Sequence, residues 1–180
     1  MEKFNCKKII STVIISQLLL PLCVLAKDVY QTPGKFLAEV FSGAPPKPEK
    51  LWIRKDLKRQ MREILQHDPG VLRMRFWEKD GRTAWVLEET GKVKPITTGV
   101  VVKDSKVELI RVLAFRESRG GEVRYPFFTE QFRDAALTEA MELNKPIDGI
   151  SGATLSVRAL IKQARLSLLL HEYSQAKKKR

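Results

Sequence analysis

Hydrophobic positions change their spacing several times along this chain, and each change predicts an element. From Ile9 to Ala26 no charged residue occurs, and the run is mostly Ile, Val and Leu. Between Leu51 and Gln66 the apolar residues Leu57, Met61, Ile64 and Leu65 recur at helical intervals with Lys and Arg between them, which predicts an amphipathic helix. His67-Asp68-Pro69-Gly70 stops it in a turn. Leu72, Met74 and Phe76 then alternate with Arg73 and Arg75, the two-residue period of a half-buried strand. Asp80-Gly81 predicts a hairpin into a short strand from Arg82 to Leu87, and Thr90-Gly91 a second turn. Two β-branched runs, Ile96 to Lys103 and Val107 to Phe115, are joined by Asp104-Ser105-Lys106 and complete an antiparallel meander.

Past Phe115 the alternation stops. Arg116 leads into Glu117-Ser118-Arg119-Gly120-Gly121, which reads as a flexible polar break. Phe127, Phe128 and Phe132 follow in a segment that ends near Asp134 and suits a short helix or an irregular packing piece. Pro146-Ile147-Asp148-Gly149 makes a turn, and Leu155 to Tyr173 reads as an amphipathic helix with Leu160, Ala164 and Leu168 along one side. Gly43 to Pro48 can be neither helix nor central strand and reads as a linker. The expected fold is α+β: an antiparallel sheet packed with an N-terminal and a C-terminal helix in a single domain. The expected boundaries are 1–26 leader, 27–70 linker and helix, 71–175 domain and 176–180 basic tail, the last read as a solvated end.

Composition narrows the partners. With 180 residues, 43% of them hydrophobic and 30% charged, the chain has the mix of an ordinary single globular domain. Its formal net charge of +12 would by itself suggest nucleic acid. The N-terminus argues otherwise: Lys3, Lys7 and Lys8 precede the uncharged run, which ends in Val24-Leu25-Ala26. That is the three-part pattern of a secretory signal peptide, with cleavage expected after Ala26 and export to the periplasm or beyond. An uncleaved membrane anchor is the alternative reading of the same run. Leu22 fills the position before Cys23 where lipidation needs a small residue. Cleavage removes both cysteines, Cys6 and Cys23, and leaves a chain of charge +10 with no disulfide, thiolate nucleophile or Cys metal site. Such a basic exported protein is expected to meet an anionic partner, membrane surface or cofactor rather than DNA.

The stretch richest in chemistry is Asp148-Gly149-Ile150-Ser151-Gly152-Ala153-Thr154-Leu155-Ser156. It is a tight turn of small and hydroxylated residues that opens a helix, where unpaired N–H groups and the helix dipole suit a phosphate. Thr154 offers a hydroxyl at the helix start, and Arg158 lies one turn on. The plainer reading of the same residues is N-capping by Ser151 or Thr154.

This run resembles the flavinylation motif of the FMN-binding domain family, and is similar to those of the C subunit of sodium-translocating NADH:quinone reductase and the Rnf G subunit. Asp148, Ser151, Gly152, Ala153 and Thr154 match it without a gap. The resemblance implies that Thr154 is esterified to the phosphate of FMN by a separate flavin transferase that reads Asp148. It also implies that Glu117 and Ser118 are cofactor-site residues, with Ser156 following the acceptor; Ser118 stands where Thr is usual. Val157 stands where many members have a second Ser, which weakens the expected polar hold. The order of elements from Arg82 to Thr154 agrees with the family as well.

Other residues carry less. Trp77 and Trp85 could stack on a flavin but are expected as sheet packing, and Phe128 and Phe132 are similar. His67 and His171 lie far apart with no Cys or clustered carboxylates beside them, so no metal site is expected. No dinucleotide fingerprint and no nucleophile elbow occurs. The expectation is an exported flavoprotein with covalent FMN on Thr154 that passes electrons between redox partners, some of them membrane-bound, without catalytic residues of its own. The alternatives are a small reductase with non-covalent FMN and a binding module without redox chemistry.

Overall fold

The computed structural model describes residues 28–178. The expected leader and its cleavage point lie outside these residues. Nine regular elements follow in order: α1 (Pro33–Val40), β1 (Glu49–Trp52), α2 (Lys55–Leu65), β2 (Arg73–Lys79), β3 (Arg82–Thr90), β4 (Pro95–Lys103), β5 (Lys106–Phe115), α3 (Pro126–Thr129) and α4 (Thr154–Lys178). The strands form one antiparallel sheet in sequence order, β1 to β5. Both long hairpins turn on two residues with positive φ, Asp80-Gly81 and Asp104-Ser105. Such turns twist in the sense that the flanking strands require.

The alternation along each strand builds two layers of side chains. Trp85, Leu87, Ile96, Val100 and Ile110 face α2 and α4 and form the main core. Ala84, Val101 and Leu113 face the other way, onto Phe36, Leu37 and Phe41 of the α1 segment. Gly99 permits that second contact, because a Cβ there would lie 2.5 Å from the Phe36 ring. The sheet is therefore covered on both faces, and α1 supplies a layer within a stretch expected to be linker. Thr32 starts α1, its Oγ1 accepting from the Lys35 N–H at 3.3 Å, and Pro33 occupies the first helical position.

Three further boundaries differ from expectation. The helix expected from Leu51 begins only at Lys55, because Glu49–Trp52 pairs with Arg73–Phe76 as an edge strand. β3 continues past Leu87 to Thr90. α4 runs to Lys178, into the basic run expected as a solvated tail, and there Lys178 Nζ lies 2.7 Å from Glu78 Oε1. Nor is α4 simply amphipathic. Gln163, Ser167, His171 and Ser174 are as buried as its leucines. Polar residues of the sheet receive some of them: Thr98 donates to the Gln163 amide oxygen, and Thr83 Oγ1 sits 2.8 Å from His171 Nδ1. The irregular chain from Asp134 to Ile150 wraps the outer side of α4, where Arg165 Nε donates to the Met141 carbonyl at 2.5 Å.

Candidate functional site

The first turn of α4 is where sequence chemistry and backbone geometry coincide. The Ala153 N–H donates to the Ile150 carbonyl at 2.9 Å, closing a turn over Ser151 and Gly152. Gly152 has φ +78°, which a side chain would resist. The next bond runs from the Val157 N–H to the Ala153 carbonyl at 2.9 Å, so Ala153 stands at the capping position. Ala153 has no side-chain oxygen to offer. Among the described residues neither the Ser151 nor the Thr154 hydroxyl has a hydrogen-bond partner, and both residues are exposed. The capping reading thus loses both of its candidates, and the start of a helix of 25 residues carries a free hydroxyl beside its leading N–H groups.

Other motif residues divide by role. Asp148 is exposed, and its N–H donates to Gln131 Oε1 at 2.7 Å, which ties the approach to the turn. Ser156 is buried and faces inward. Val157 lies in the main core, so the departure from Ser falls on the packed side of the helix rather than beside the Thr154 hydroxyl.

The segment after β5 is packed rather than loose. Gly120 is buried with φ +83°, and a Cβ there would lie 2.9 Å from Ser156 Oγ and 3.1 Å from Ala153 Cβ. The Glu117–Gly120 loop is thereby pressed onto the first turn of α4, and Ser118 and Arg119 are left exposed on it. Glu117 points away toward the β3–β4 turn, and its Oε1 accepts from the N–H groups of Lys92, Val93 and Lys94 at 2.6, 2.6 and 2.8 Å. Burial would raise its pKa, but the three N–H groups outweigh that and hold the carboxyl below its usual value. Gly91 makes room, since a Cβ there would meet that carboxylate at 3.0 Å.

Glu117 therefore acts on the turn and reaches Thr154 only through the loop it belongs to. Gln131, Gly91 and Gly120 have positioning parts that sequence reasoning did not assign. The Gly120-Gly121 pair was the available signal, since paired glycines mark a close backbone approach as well as a break.

The aromatic residues considered as stacking partners are engaged in packing. Trp85 stacks on Phe76 at 4.9 Å between centroids and donates to Thr83, while Phe128 and Phe132 meet edge to face at 5.6 Å inside the core. Trp77 packs against the α1 layer. His67 is bonded to Glu89 at 2.9 Å and His171 to Thr83, so each has a structural partner. The largest of the principal cavities, about 640 Å³, lies along β5 between Tyr30, Arg111 and Tyr125. None of the three principal cavities is lined by a motif residue. The Thr154 turn is an open surface.

Residues 91–168 match the family model described as the FMN-binding domain. The match begins at the turn that Glu117 holds and ends within α4, so it spans the whole constellation. No curated protein matches the chain.

Proposed function

Since residues 91–168 belong to the FMN-binding domain family, we propose that the chain is an exported electron carrier holding one FMN as a phosphoester on Thr154. The observation that carries this reading is the Thr154 hydroxyl, exposed and without a partner at a helix start that is capped by Ala153. The turn fits the phosphate of such an ester. Gly152 leaves open space above it, and a helix start offers unpaired N–H donors to such a group. Exposure of Asp148, Ser151 and Thr154 together gives a modifying enzyme access to the motif, and the Gln131 bond keeps Asp148 in place.

FMN, when bound, supplies the redox chemistry; the protein supplies position and local charge. Arg119 and Arg158 are exposed near the turn and bias the site toward an anionic ligand and an acidic electron partner. A non-covalent flavin of this size needs a cavity that buries most of its surface. The open turn favours a covalent hold instead. Export follows from the leader pattern, and a tethered cofactor suits a compartment from which a lost flavin is not recovered.

Intact mass tests the reading directly. The exported chain, made beside a flavin transferase, should gain one FMN less one water, and Thr154→Ala should not. An unmodified mass in both would overturn the ester. Yellow colour that washes out on denaturation would then make the protein a carrier of loosely held flavin.

A further inference from the structure

The two ends of the sheet differ, and the difference favours the end that carries Thr154. Trp52 pairs with Arg73, Thr90 with Pro95 and Ile96 with Phe115. The end of β1, the start of β2, the β3–β4 turn and the exit of β5 therefore share one end. The start of α4 joins them through Gly120. Five large apolar side chains protrude there: Trp52 is 55% exposed, Val71 38%, Leu72 78%, Val93 73% and Leu155 42%. The opposite end consists of the turns Lys79–Arg82 and Lys103–Lys106 and the last turn of α4. None of the exposed large apolar residues among the described ones falls in it.

Each protruding residue stands beside cations. The Arg73 guanidinium lies 5.8 Å from the Trp52 ring centroid. Lys92 and Lys94 flank Val93, and Arg158 follows Leu155 by three residues. Among the described residues none of these cations is in an ion pair. Next to Trp52, Lys50 and Arg75 face each other directly across the ladder, a like-charge pair that destabilises a bare sheet and that an anion relieves.

Most nearby carboxylates are occupied: Glu117 by the turn, Asp68 by Lys58 and Arg62, Glu89 by His67 and Lys162. Asp28, Asp56, Glu122 and Asp148 are exposed acids there outside any ion pair.

We propose that this end of the sheet docks on an anionic phospholipid surface. The apolar side chains come from four separate segments, each with a cation within three residues, and none lines a principal cavity. Separate tips at one end suit a plane, whereas a protein partner would engage a contiguous patch with an apolar centre. Trp and aliphatic tips ringed by Lys and Arg are the composition of an interface anchor on acidic lipid. No helix among the described residues is long and apolar enough to cross a membrane, and a contact made by side-chain tips is peripheral. Its consequence rests on the Thr154 reading: the flavin-bearing end would face the bilayer, within reach of a membrane-embedded redox partner.

The test is vesicle flotation of the chain from Lys27, which contains all of the described fold. It should float with vesicles of equal parts phosphatidylcholine and phosphatidylglycerol, not with phosphatidylcholine alone, and high salt should release it. Lys92→Gln with Lys94→Gln should weaken partition about thirtyfold, at about fivefold per lysine near an anionic surface. Trp52→Ser should weaken it as well. Lys103→Gln with Lys106→Gln, at the other end, should leave it within about twofold. All five positions are exposed, and unchanged melting shows that the fold is intact.

No flotation, or equal losses from both lysine pairs, would overturn the docking face. Absence of flotation with salt-reversible binding to polyglutamate would replace the bilayer by an acidic protein. Flotation is measured with and without flavin. Its failure therefore leaves the ester on Thr154 standing, and failure of the ester leaves flotation standing.

Discussion

Two glycines near Thr154 share a backbone conformation and differ in what surrounds them, which turns one substitution into a measurement of packing. Gly120 has φ +83° and Gly152 has φ +78°. An alanine at either costs about 1 kcal/mol for the left-handed conformation. At Gly152 nothing lies within 4 Å of the added Cβ, so that is the whole cost. At Gly120 the Cβ would lie 2.9 Å from Ser156 Oγ, 3.1 Å from Ala153 Cβ and 3.3 Å from Ala153 Cα. The hydroxyl can turn aside but the Ala153 backbone cannot, and overpacking of this kind adds about 1–3 kcal/mol.

Gly152→Ala should therefore lose about 1 kcal/mol, and Gly120→Ala about 2–4 kcal/mol. At about 2–4 °C per kcal/mol, the melting shifts are roughly 2–4 °C and 4–16 °C. Urea titration followed by circular dichroism gives both free energies. Ser156→Ala in the Gly120→Ala background should recover part of the loss. Equal losses from the two glycine variants would refute the claim that the loop after β5 rests on the first turn of α4.

Two further outcomes follow from single side chains. Glu117→Ala removes the acceptor for three N–H groups and should cost about 1–2 kcal/mol, near the low end for charged bonds because the turn regains water; amide exchange at Lys92 to Lys94 should quicken, and Glu117→Gln should restore part of both. The folded Glu117 pKa lies below its ordinary value of 4.5, so its contribution is present above that pH and is lost as pH falls through the lowered value. The two histidines act in opposite windows. His67 is raised above 6.5, first by the Asp68 carbonyl and then by Glu89, so its contribution is full below 6.5 and fades as pH rises through the raised value. His171 is lowered from 6.5 by burial, so stability falls as pH drops from 6.5 toward its folded value. His67→Gln should flatten the alkaline flank of the melting-temperature profile and His171→Gln the acid flank. A single variant that flattens both would overturn the assignment.

The sheet was legible wherever the sequence alternates or turns on short polar pairs. Val100, Val101 and Val102 and the run from Val107 to Phe115 are β-branched or aliphatic enough to exclude other readings, and Asp80-Gly81 and Asp104-Ser105 take the left-handed pairs that hairpins use. β1 was hidden because its four residues run directly into the helical spacing of Leu57, Met61 and Ile64, so that Leu51 was read as the start of that helix although its partner is Met74 across a ladder. α1 was hidden by its own start, since Pro33-Gly34 reads as a breaker unless Thr32 is recognised as its cap. The motif turn was legible as a helix start, and its exposure is consistent with the chemistry expected of Thr154. The part played by Gly120 was not legible, because its requirement comes from Ala153 and Ser156, more than thirty residues away in sequence. The same holds for Glu117, whose partners are backbone groups of a turn and carry no side-chain signature.

On the proposed reading, the openness of the site and the covalent bond explain each other. Non-covalent affinity for a flavin comes chiefly from burying its ring, and a ring buried deeply enough to be retained is also shielded from a protein partner. The aromatic residues that could have stacked on it, Trp85, Phe128 and Phe132, are instead fully buried in the core, where they hold the sheet against α4. What remains at the surface is a helix start with an exposed hydroxyl, braced by Gly120 on one side and by the Gln131 bond to Asp148 on the other. An ester there retains the cofactor without any pocket. The ring is then left free to meet its partner, and the exposed cations around it set which partners approach.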